Sequence, residues 1–411
     1  MKDASHPRRR YPRPMKATPR LLGLAVSSVG AILVPAFTTV AQAQVGSTPA
    51  PLVQSTFSLV EPFDAVAPPE FTALAVETQG ALMLTSALTL TETTAAINAT
   101  PPLSERWQLC GGEAFEEQPT AAFCAGTLVA PDLVLTAEHC VPDARSCEAL
   151  SVVFDYRYTS AGVMAPLERD DVYACTRILD ADGTGDYALM RLDRAVVGRE
   201  PAQPRITDPA TCFGVYFGDQ VWAAGFPSGV PLKLDVGDVE AGVALGAEVK
   251  EQNVSNRRFF LAHFDLFAGM DGGGVFNVPD PDEGDDIELV GFLSSGRADY
   301  ARTDQGCFAA VSVDDGENAS REYAGHVIQP LMALCNGRAD EYGDLCPTTV
   351  GRCPPGNVVM GEDAGMSTFP PSQGCGCRVP SHGAPLPRAG LGLMLGFLLV
   401  LGTRARRRRT H

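Results

Sequence analysis

Short apolar runs, separated by clusters of Gly, Pro, Asp and Asn, make up the central part of the chain from about residue 106 onward. Runs of this kind are typical of buried strands joined by turns. Many short strands at such spacing predict an all-β sandwich or barrel, followed by one helix over roughly residues 323–334. The clearest runs are residues 127–129, 133–136, 152–154, 188–192, 221–224, 289–293 and 307–311.

The segments on either side of this region have a different amino-acid composition. Residues 44–104 are rich in Ala, Thr, Pro, Ser and Val and contain no cysteine. They predict a spacer or pro-segment, with some strand-like alternation over residues 71–91. Residues 336–387 are rich in Gly, Pro and Cys and are interpreted as a stalk.

The amino terminus has the order of an export signal. Basic residues are followed by an apolar run over residues 21–40 and by the small-x-small sequence Ala41-Gln42-Ala43. This pattern predicts a signal peptide over residues 1–43, removed after Ala43. The alternative is a transmembrane helix, because the apolar run is long.

The carboxyl terminus combines a Cys motif (Cys375, Cys377), an apolar stretch over residues 391–401 and an arginine cluster. This order resembles the MYXO-CTERM sorting tail over residues 374–411. The resemblance implies a membrane anchor at residues 388–411 and attachment to the cell surface. A disordered tail with a chance apolar run is the alternative.

Charge and cysteine content restrict the function further. The formal net charge is −17 although both termini are basic, so the part between them is strongly acidic. Such a surface repels phosphate and argues against a nucleic-acid partner. Twelve cysteines in an exported chain predict disulfides. No C-x-x-C pair is present, so we expect neither a structural metal site nor a cofactor.

Four segments carry the functional signal. His139 follows two apolar runs and is flanked by Cys140, which a disulfide to Cys124 could join. Asp186 directly precedes an apolar run. The third segment is the turn at residues 225–229, and the fourth is the glycine-dense turn at residues 269–274, followed by Val-Phe-Asn.

In this order the segments resemble the trypsin-like serine proteases, and in particular their bacterial branch with the glutamyl endopeptidases. The resemblance covers about residues 105–335. It implies two packed six-stranded β-barrels with a cleft between them, in which a polypeptide would bind. His139 takes the position of the general base, and Asp186 takes that of the residue that orients the imidazole.

The fourth segment departs from the family pattern. Where relatives have the nucleophilic serine, this chain has Asp271, and no serine occurs between Ser255 and Ser294. Held between two acids, His139 is expected to be cationic near neutral pH and therefore unable to act as a base. The backbone N–H groups of Gly269 and Asp271 could still point into an oxyanion hole, but the carboxylate there would repel a developing anion.

The resemblance also indicates substrate-binding positions. Asp265 matches a residue at the floor of the primary specificity pocket, where an acid would suit Lys or Arg. Ser294, Ser295 and Gly296 resemble the strand that pairs with the substrate backbone. Ser294 or Ser295 as a replacement nucleophile is a minor alternative.

Three hypotheses follow. The leading one is an exported, surface-anchored pseudoprotease that binds polypeptide. The second is an active serine endopeptidase that uses an unrecognised serine. The third makes His139 and Asp271 ligands of an adventitious metal, although two ligands without an evident third are too few.

Overall fold

Strands dominate the structure, a computed structural model that describes residues 59–205, 214–240, 243–254, 258–279, 286–296, 298–311 and 322–346. In chain order the strands are β1 (Leu59–Val60), β2 (Gln79–Leu84), β3 (Leu88–Leu90), β4 (Ala95–Ile97), β5 (Cys124–Ala130), β6 (Leu133–Thr136), β7 (Leu150–Val153), β8 (Tyr158–Ser160), β9 (Val163–Met164), β10 (Val172–Asp182), β11 (Tyr187–Leu192), β12 (Gln220–Gly225), β13 (Lys233–Asp235), β14 (Asp238–Glu240), β15 (Val243–Val254), β16 (Phe259–Ala262), β17 (Gly274–Asn277), β18 (Leu289–Ser295), β19 (Tyr300–Arg302), β20 (Phe308–Ala310) and β21 (Glu322–His326).

Four α-helices accompany these strands in the described part of the chain. They are α1 (Pro69–Thr78), α2 (Leu103–Trp107), α3 (Ala144–Ala149) and α4 (Ile328–Arg338). None of the described helices is both long and apolar enough to cross a bilayer. The predicted signal peptide and anchor lie outside the described residues, as does the stalk beyond residue 346.

Six strands close the first barrel, in the order β10-β11-β6-β5-β2-β7. All pairings around it are antiparallel, and every residue of β5, β6 and β7 is buried. Burial on both faces explains why these strands read as continuous apolar runs rather than as alternating ones. Leu82, Leu128 and Met190 fill the interior with no exposed surface.

The second barrel follows the order β12-β17-β18-β21-β16-β15, and the pairing of Val221 with Ala247 closes it back onto β12. Strands β13 and β1 extend the same sheet beyond β12, and β14 extends it beyond β15. The predicted fold class of two packed six-stranded barrels with a carboxyl-terminal helix is therefore confirmed, and the fold is chymotrypsin-like.

The first barrel begins earlier than the sequence suggested. Strand β2 lies inside the segment interpreted as a spacer, yet it pairs with β5 on one side and with β7 on the other. Helix α1, from the same segment, stacks Phe71 on Trp222 of the second barrel with ring centroids 4.4 Å apart. The folded domain therefore starts by Leu59 rather than at residue 105, because without β2 the first barrel would be open.

A buried ion pair holds the amino-terminal strand β1 against the second barrel. Lys233 has no exposed surface, and its ammonium group lies 3.2 Å from the Glu61 carboxylate. It also donates to Gln118 Oε1 at 2.9 Å and to the Pro231 carbonyl at 2.7 Å. Such a charge is tolerated in the interior because it is paired and hydrogen-bonded.

The carboxyl-terminal end of the folded domain also differs in detail from the sequence prediction. Residues 322–326 form strand β21, and helix α4 begins only at Ile328 and runs to Arg338. Tertiary pairing with β16 and β18 overrides the helical pattern predicted from residue 323. A disulfide between Cys335 and Cys346 extends the ordered chain beyond the predicted domain end at residue 335.

Disulfides brace the barrels at several points. The predicted pair Cys124 and Cys140 is present. Two further bonds join Cys147 to Cys175 and Cys110 to Cys307. The last of these spans 197 residues and ties the segment between β2 and β5 to the β19–β20 hairpin.

We predict that Leu82→Ala lowers the free energy of unfolding by about 2–5 kcal/mol, because it removes a fully buried side chain from the first barrel. Leu90→Ala, in the same segment but 36% exposed, should cost no more than about 0.5 kcal/mol. Urea unfolding of both variants measures the difference. Equal, small effects would show that residues 79–84 are a spacer after all.

Candidate active site

His139 and Asp186 meet because of the pairing of two strands in the first barrel. Thr136, the last residue of β6, pairs with Ala188 of β11. The residues just after β6 and just before β11 therefore leave the barrel at the same place. The Asp186 backbone has φ of 49°, a left-handed conformation that Asp tolerates better than most residues.

The imidazole of His139 is held by the Asp186 carboxylate. Nδ1 lies 3.0 Å from Oδ1 and 3.1 Å from Oδ2, and the His139 backbone N–H donates to Oδ1 at 3.2 Å. The hydroxyl of Ser294 donates to Asp186 Oδ2 at 2.6 Å. These contacts fix both the orientation of the ring and the carboxylate behind it, while Nε2 faces the second barrel.

Asp271 faces Nε2 from the second barrel. It stands in the tight turn before β17, and its Oδ2 lies 3.8 Å from His139 Nε2. The side chain is only 1% exposed, whereas that of His139 is 40% exposed. Asp271 therefore occupies the position that the sequence assigned to the missing nucleophile, beside the imidazole.

The Asp271 carboxylate also takes one donor of the predicted oxyanion hole. The Gly269 N–H donates to Asp271 Oδ2 at 3.4 Å. Gly269 has φ of +97°, and a Cβ there would lie 2.5 Å from the Phe226 carbonyl oxygen, so the turn requires glycine at this point. The second oxygen, Oδ1, is buried without a hydrogen-bond partner in the described part of the chain.

The two carboxylates determine the charge of the imidazole. Burial alone would lower the pKa of His139, but hydrogen bonds and ionic attraction from Asp186 and Asp271 outweigh burial and raise the pKa to about 11. The ring is then an imidazolium at neutral pH and has no lone pair with which to take a proton. This agrees with the charge state expected from the sequence.

Other hydroxyl groups are engaged elsewhere. Ser294, considered as a replacement nucleophile, directs its hydroxyl to Asp186. Ser228 shares a 2.8 Å hydrogen bond with the Tyr300 hydroxyl. Within the described ranges, no side-chain hydroxyl is hydrogen-bonded to the His139 ring, so the geometry provides no serine in the nucleophile position.

The end of the predicted substrate-binding strand is closely packed at Gly296. A Cβ on Gly296 would lie 2.3 Å from Glu322 Oε2 and 2.9 Å from Leu266 Cδ2, and both of those side chains are buried. Asp265 is half-buried, and its backbone N–H donates to Asp235 Oδ2 at 2.6 Å. The role of Asp265 as the pocket floor stays a prediction.

Two features of the site were not found from the sequence. Ser294 was considered for substrate binding and as a replacement nucleophile, yet its side chain supports Asp186. Asp299 was not considered, although its Oδ2 accepts from the backbone N–H of Ala268, next to Gly269, at 2.9 Å. Neither residue stands in a recognisable motif, because both contacts join segments that are distant along the chain.

A metal site has little support from the described residues. Ligand atoms of Cys124, His139 and Cys140 lie within 4.8 Å of one another. The two sulfurs are joined in a disulfide and offer no thiolate. His139 Nδ1 is directed at Asp186, which leaves only Nε2 for an ion.

Residues 124–281, which contain His139, Asp186 and Asp271, match the family model of the trypsin-like peptidase domain. This part of the chain is similar in sequence to that domain. No curated protein matches the chain in sequence. Among solved structures, a Glu endopeptidase in complex with MPD is similar, with 13% identity and a TM-score of 0.35 over 69% of this chain and 98% of that one.

We predict a distinct pH dependence of stability for the folded domain. The raised pKa of His139 stabilises the fold fully below about pH 6.5, the unfolded-state value, and this contribution is lost as the pH rises toward 11. Asp271→Asn removes one of the two carboxylates that raise the pKa of His139. The free energy of unfolding should therefore fall more steeply between about pH 8 and 10 in the wild type than in Asp271→Asn.

Denaturant unfolding at a series of pH values measures this difference. Asp344→Asn, which removes an exposed acid far along the chain, serves as the control and should follow the wild-type profile. Parallel profiles for the wild type and Asp271→Asn would contradict a coupling between Asp271 and His139.

Proposed function

We propose that the protein is an exported, surface-anchored pseudoprotease of the trypsin-like kind, which binds a polypeptide in the cleft between its barrels without cutting it. The observation that carries the proposal is the position of Asp271, 3.8 Å from His139 Nε2 and hydrogen-bonded to the Gly269 amide. One carboxylate thus stands where the nucleophile would be and engages an amide that would otherwise bind the reaction's anion.

The chemistry of peptide hydrolysis fails at two steps in such a site. A serine nucleophile becomes reactive when a neutral imidazole removes its proton, but here the imidazole is already protonated and no serine faces it. The tetrahedral intermediate also needs free N–H donors for its oxyanion. The Asp271 carboxylate takes the Gly269 donor and adds a negative charge beside the place where the anion would form.

Binding by backbone pairing is compatible with the same geometry. The last pairing of β18 with β17 is at Phe292, so Ser295 and Gly296 extend past the end of β17. Both residues are half-buried rather than fully enclosed. An extended peptide could add to this strand end by β-augmentation, which needs neither a nucleophile nor an oxyanion hole.

The targeting signals predicted at the two termini motivate the proposed export and surface attachment. The basic, apolar and small-x-small order at the amino terminus supports export. The apolar stretch followed by arginines at the carboxyl terminus supports attachment to a membrane. Disulfides in the folded domain are consistent with an oxidising compartment outside the cytoplasm.

The alternative is an active serine endopeptidase, for which the wild type itself would cleave peptides. Comparing the wild type with Asp271→Ser distinguishes the two hypotheses. We expect the wild type to leave a broad peptide library uncut and to resist a fluorophosphonate probe. Asp271→Ser supplies the hydroxyl, frees the Gly269 N–H and allows His139 to lose its charge, so it should gain labelling and cleavage. Loss of the nucleophile costs on the order of 10⁶ in turnover in such triads, which sets the upper limit of the gain.

Asp271→Ser combined with His139→Ala is the matched control, since it has the hydroxyl but no base, and it should stay unreactive. Labelling of the wild type at a single residue, accompanied by peptide hydrolysis, would establish the active-protease alternative and contradict the pseudoprotease proposal.

A further inference from the structure

Lys233 is a buried lysine that lies outside the candidate active site. It is the first residue of strand β13 and has no exposed surface. Its Nζ lies 4.8 Å from the centroid of the Phe115 ring and 6.0 Å from that of the Tyr158 ring. The lysine nitrogen is therefore held among aromatic side chains rather than in water.

Two side chains that contact each other also contact this nitrogen. Lys233 Nζ donates to Gln118 Oε1 at 2.9 Å and lies 3.2 Å from Glu61 Oε2. Gln118 Nε2 donates to Glu61 Oε1 at 2.6 Å. The opposite orientation of the amide would place Nε2, a donor, against the ammonium group, which is also a donor, so the contacts fix the orientation. An amine, a carboxamide and a carboxylate thus form a closed ring of contacts.

The surroundings favour the neutral, nucleophilic form of the amine. Burial lowers the pKa of Lys233 to about 8, although the charges of Glu61 and Asp64 oppose this decrease. A larger fraction of Lys233 is therefore neutral near physiological pH than of an exposed lysine. Within the described ranges, Glu61 Oε2 accepts no hydrogen bond beyond its ionic contact with the ammonium group, so it has a lone pair available for the ammonium proton.

We propose that Lys233 and Gln118 become joined by an isopeptide bond, with Glu61 as the carrier of protons. Lys233 Nζ attacks Gln118 Cδ, the Nζ–Cδ bond forms, and the Cδ–Nε2 bond breaks. Glu61 takes protons from Nζ and delivers them to Nε2, which leaves as ammonium. One lysine ammonium group is consumed and one ammonium ion is released, so atoms and charge balance without an oxidant or a cofactor.

The bond would connect two parts of the fold that are far apart in sequence. Gln118 lies in the segment between β2 and β5, whereas Lys233 lies in the sheet of the second barrel, 115 residues further along the chain. A covalent link over such a separation restricts the unfolded chain as a disulfide does. Unlike a disulfide, an amide is not broken by thiols. This modification goes beyond the proposed function and does not depend on it.

Peptide mapping of the full-length protein by mass spectrometry tests the proposal. Trypsin cuts the denatured, reduced chain after Lys and Arg, but not after a lysine whose amine is part of an amide. We expect residues 107–145 joined to residues 206–250, with a mass lower than the sum of the two peptides by one ammonia. Lys250, which is the only other lysine after residue 16, should be cut normally.

Three variants separate the roles of the side chains. Glu61→Gln keeps the size of the side chain but cannot carry the protons, so the cross-linked fraction should fall at least about 10-fold. Lys233→Met should abolish the cross-link. Lys250→Met is the matched control and should be cross-linked like the wild type. Circular dichroism establishes that each variant is folded before the fractions are compared.

Complete cleavage after Lys233 in the wild type would overturn the proposal. A link from Lys233 to the peptide that contains Glu61, with loss of water instead of ammonia, would also overturn it. Equal cross-linking in the wild type and in folded Glu61→Gln would contradict the role of Glu61. None of these results depends on binding or hydrolysis of a polypeptide, so failure of the cross-link can be told apart from failure of the pseudoprotease proposal.

Discussion

The arrangement of three charges, Asp186, His139 and Asp271, is the constraint on which the site depends. The ring lies between two carboxylates, at 3.0 Å from one and 3.8 Å from the other. A carboxylate that is 1% exposed is costly to bury unless a positive charge faces it. The protonated imidazole supplies that charge, and the same proton removes the base that proteolysis needs. Stability of the site and the proposed absence of catalysis thus have one physical cause.

In the rest of the cleft, too, polar groups contact other groups of the same protein. The Gly269 amide donates to Asp271, the Ala268 amide donates to Asp299, and Glu322 and Leu266 lie close to Gly296. In this protein these groups are directed at one another. The strand end at Ser295 and Gly296 is the part of the cleft that we propose for a polypeptide.

Much of the fold could be predicted from the sequence because burial on both faces makes strands such as β5, β6 and β11 continuous apolar runs. The meeting of His139 with Asp186 was also predictable, through resemblance to a known order of motifs. Strand-like alternation was noted over residues 71–91, but the place of β2 in the first barrel was missed, because its surroundings are rich in Ala and Thr and its partners lie 40 or more residues away. Contacts of that kind depend on tertiary pairing rather than on local pattern.

The dependence on tertiary contacts also limited what could be predicted about the site. The substitution at position 271 and its effect on His139 followed from the family resemblance and the residue type, since a carboxylate placed beside an imidazole favours its charged form. The contact of Asp299 with Ala268 and the support of Asp186 by Ser294 did not, because each depends on which way a side chain points in the folded chain.

The charge of His139 is the central claim, and an NMR titration of its ring carbon and nitrogen signals tests it most directly. The account predicts that the ring stays protonated from about pH 5 to pH 9, with its pKa near 11, and that Asp271→Ser moves the midpoint down. A wild-type midpoint close to the ordinary value of about 6.5 would contradict it, because a neutral imidazole at physiological pH would be free to act as a base.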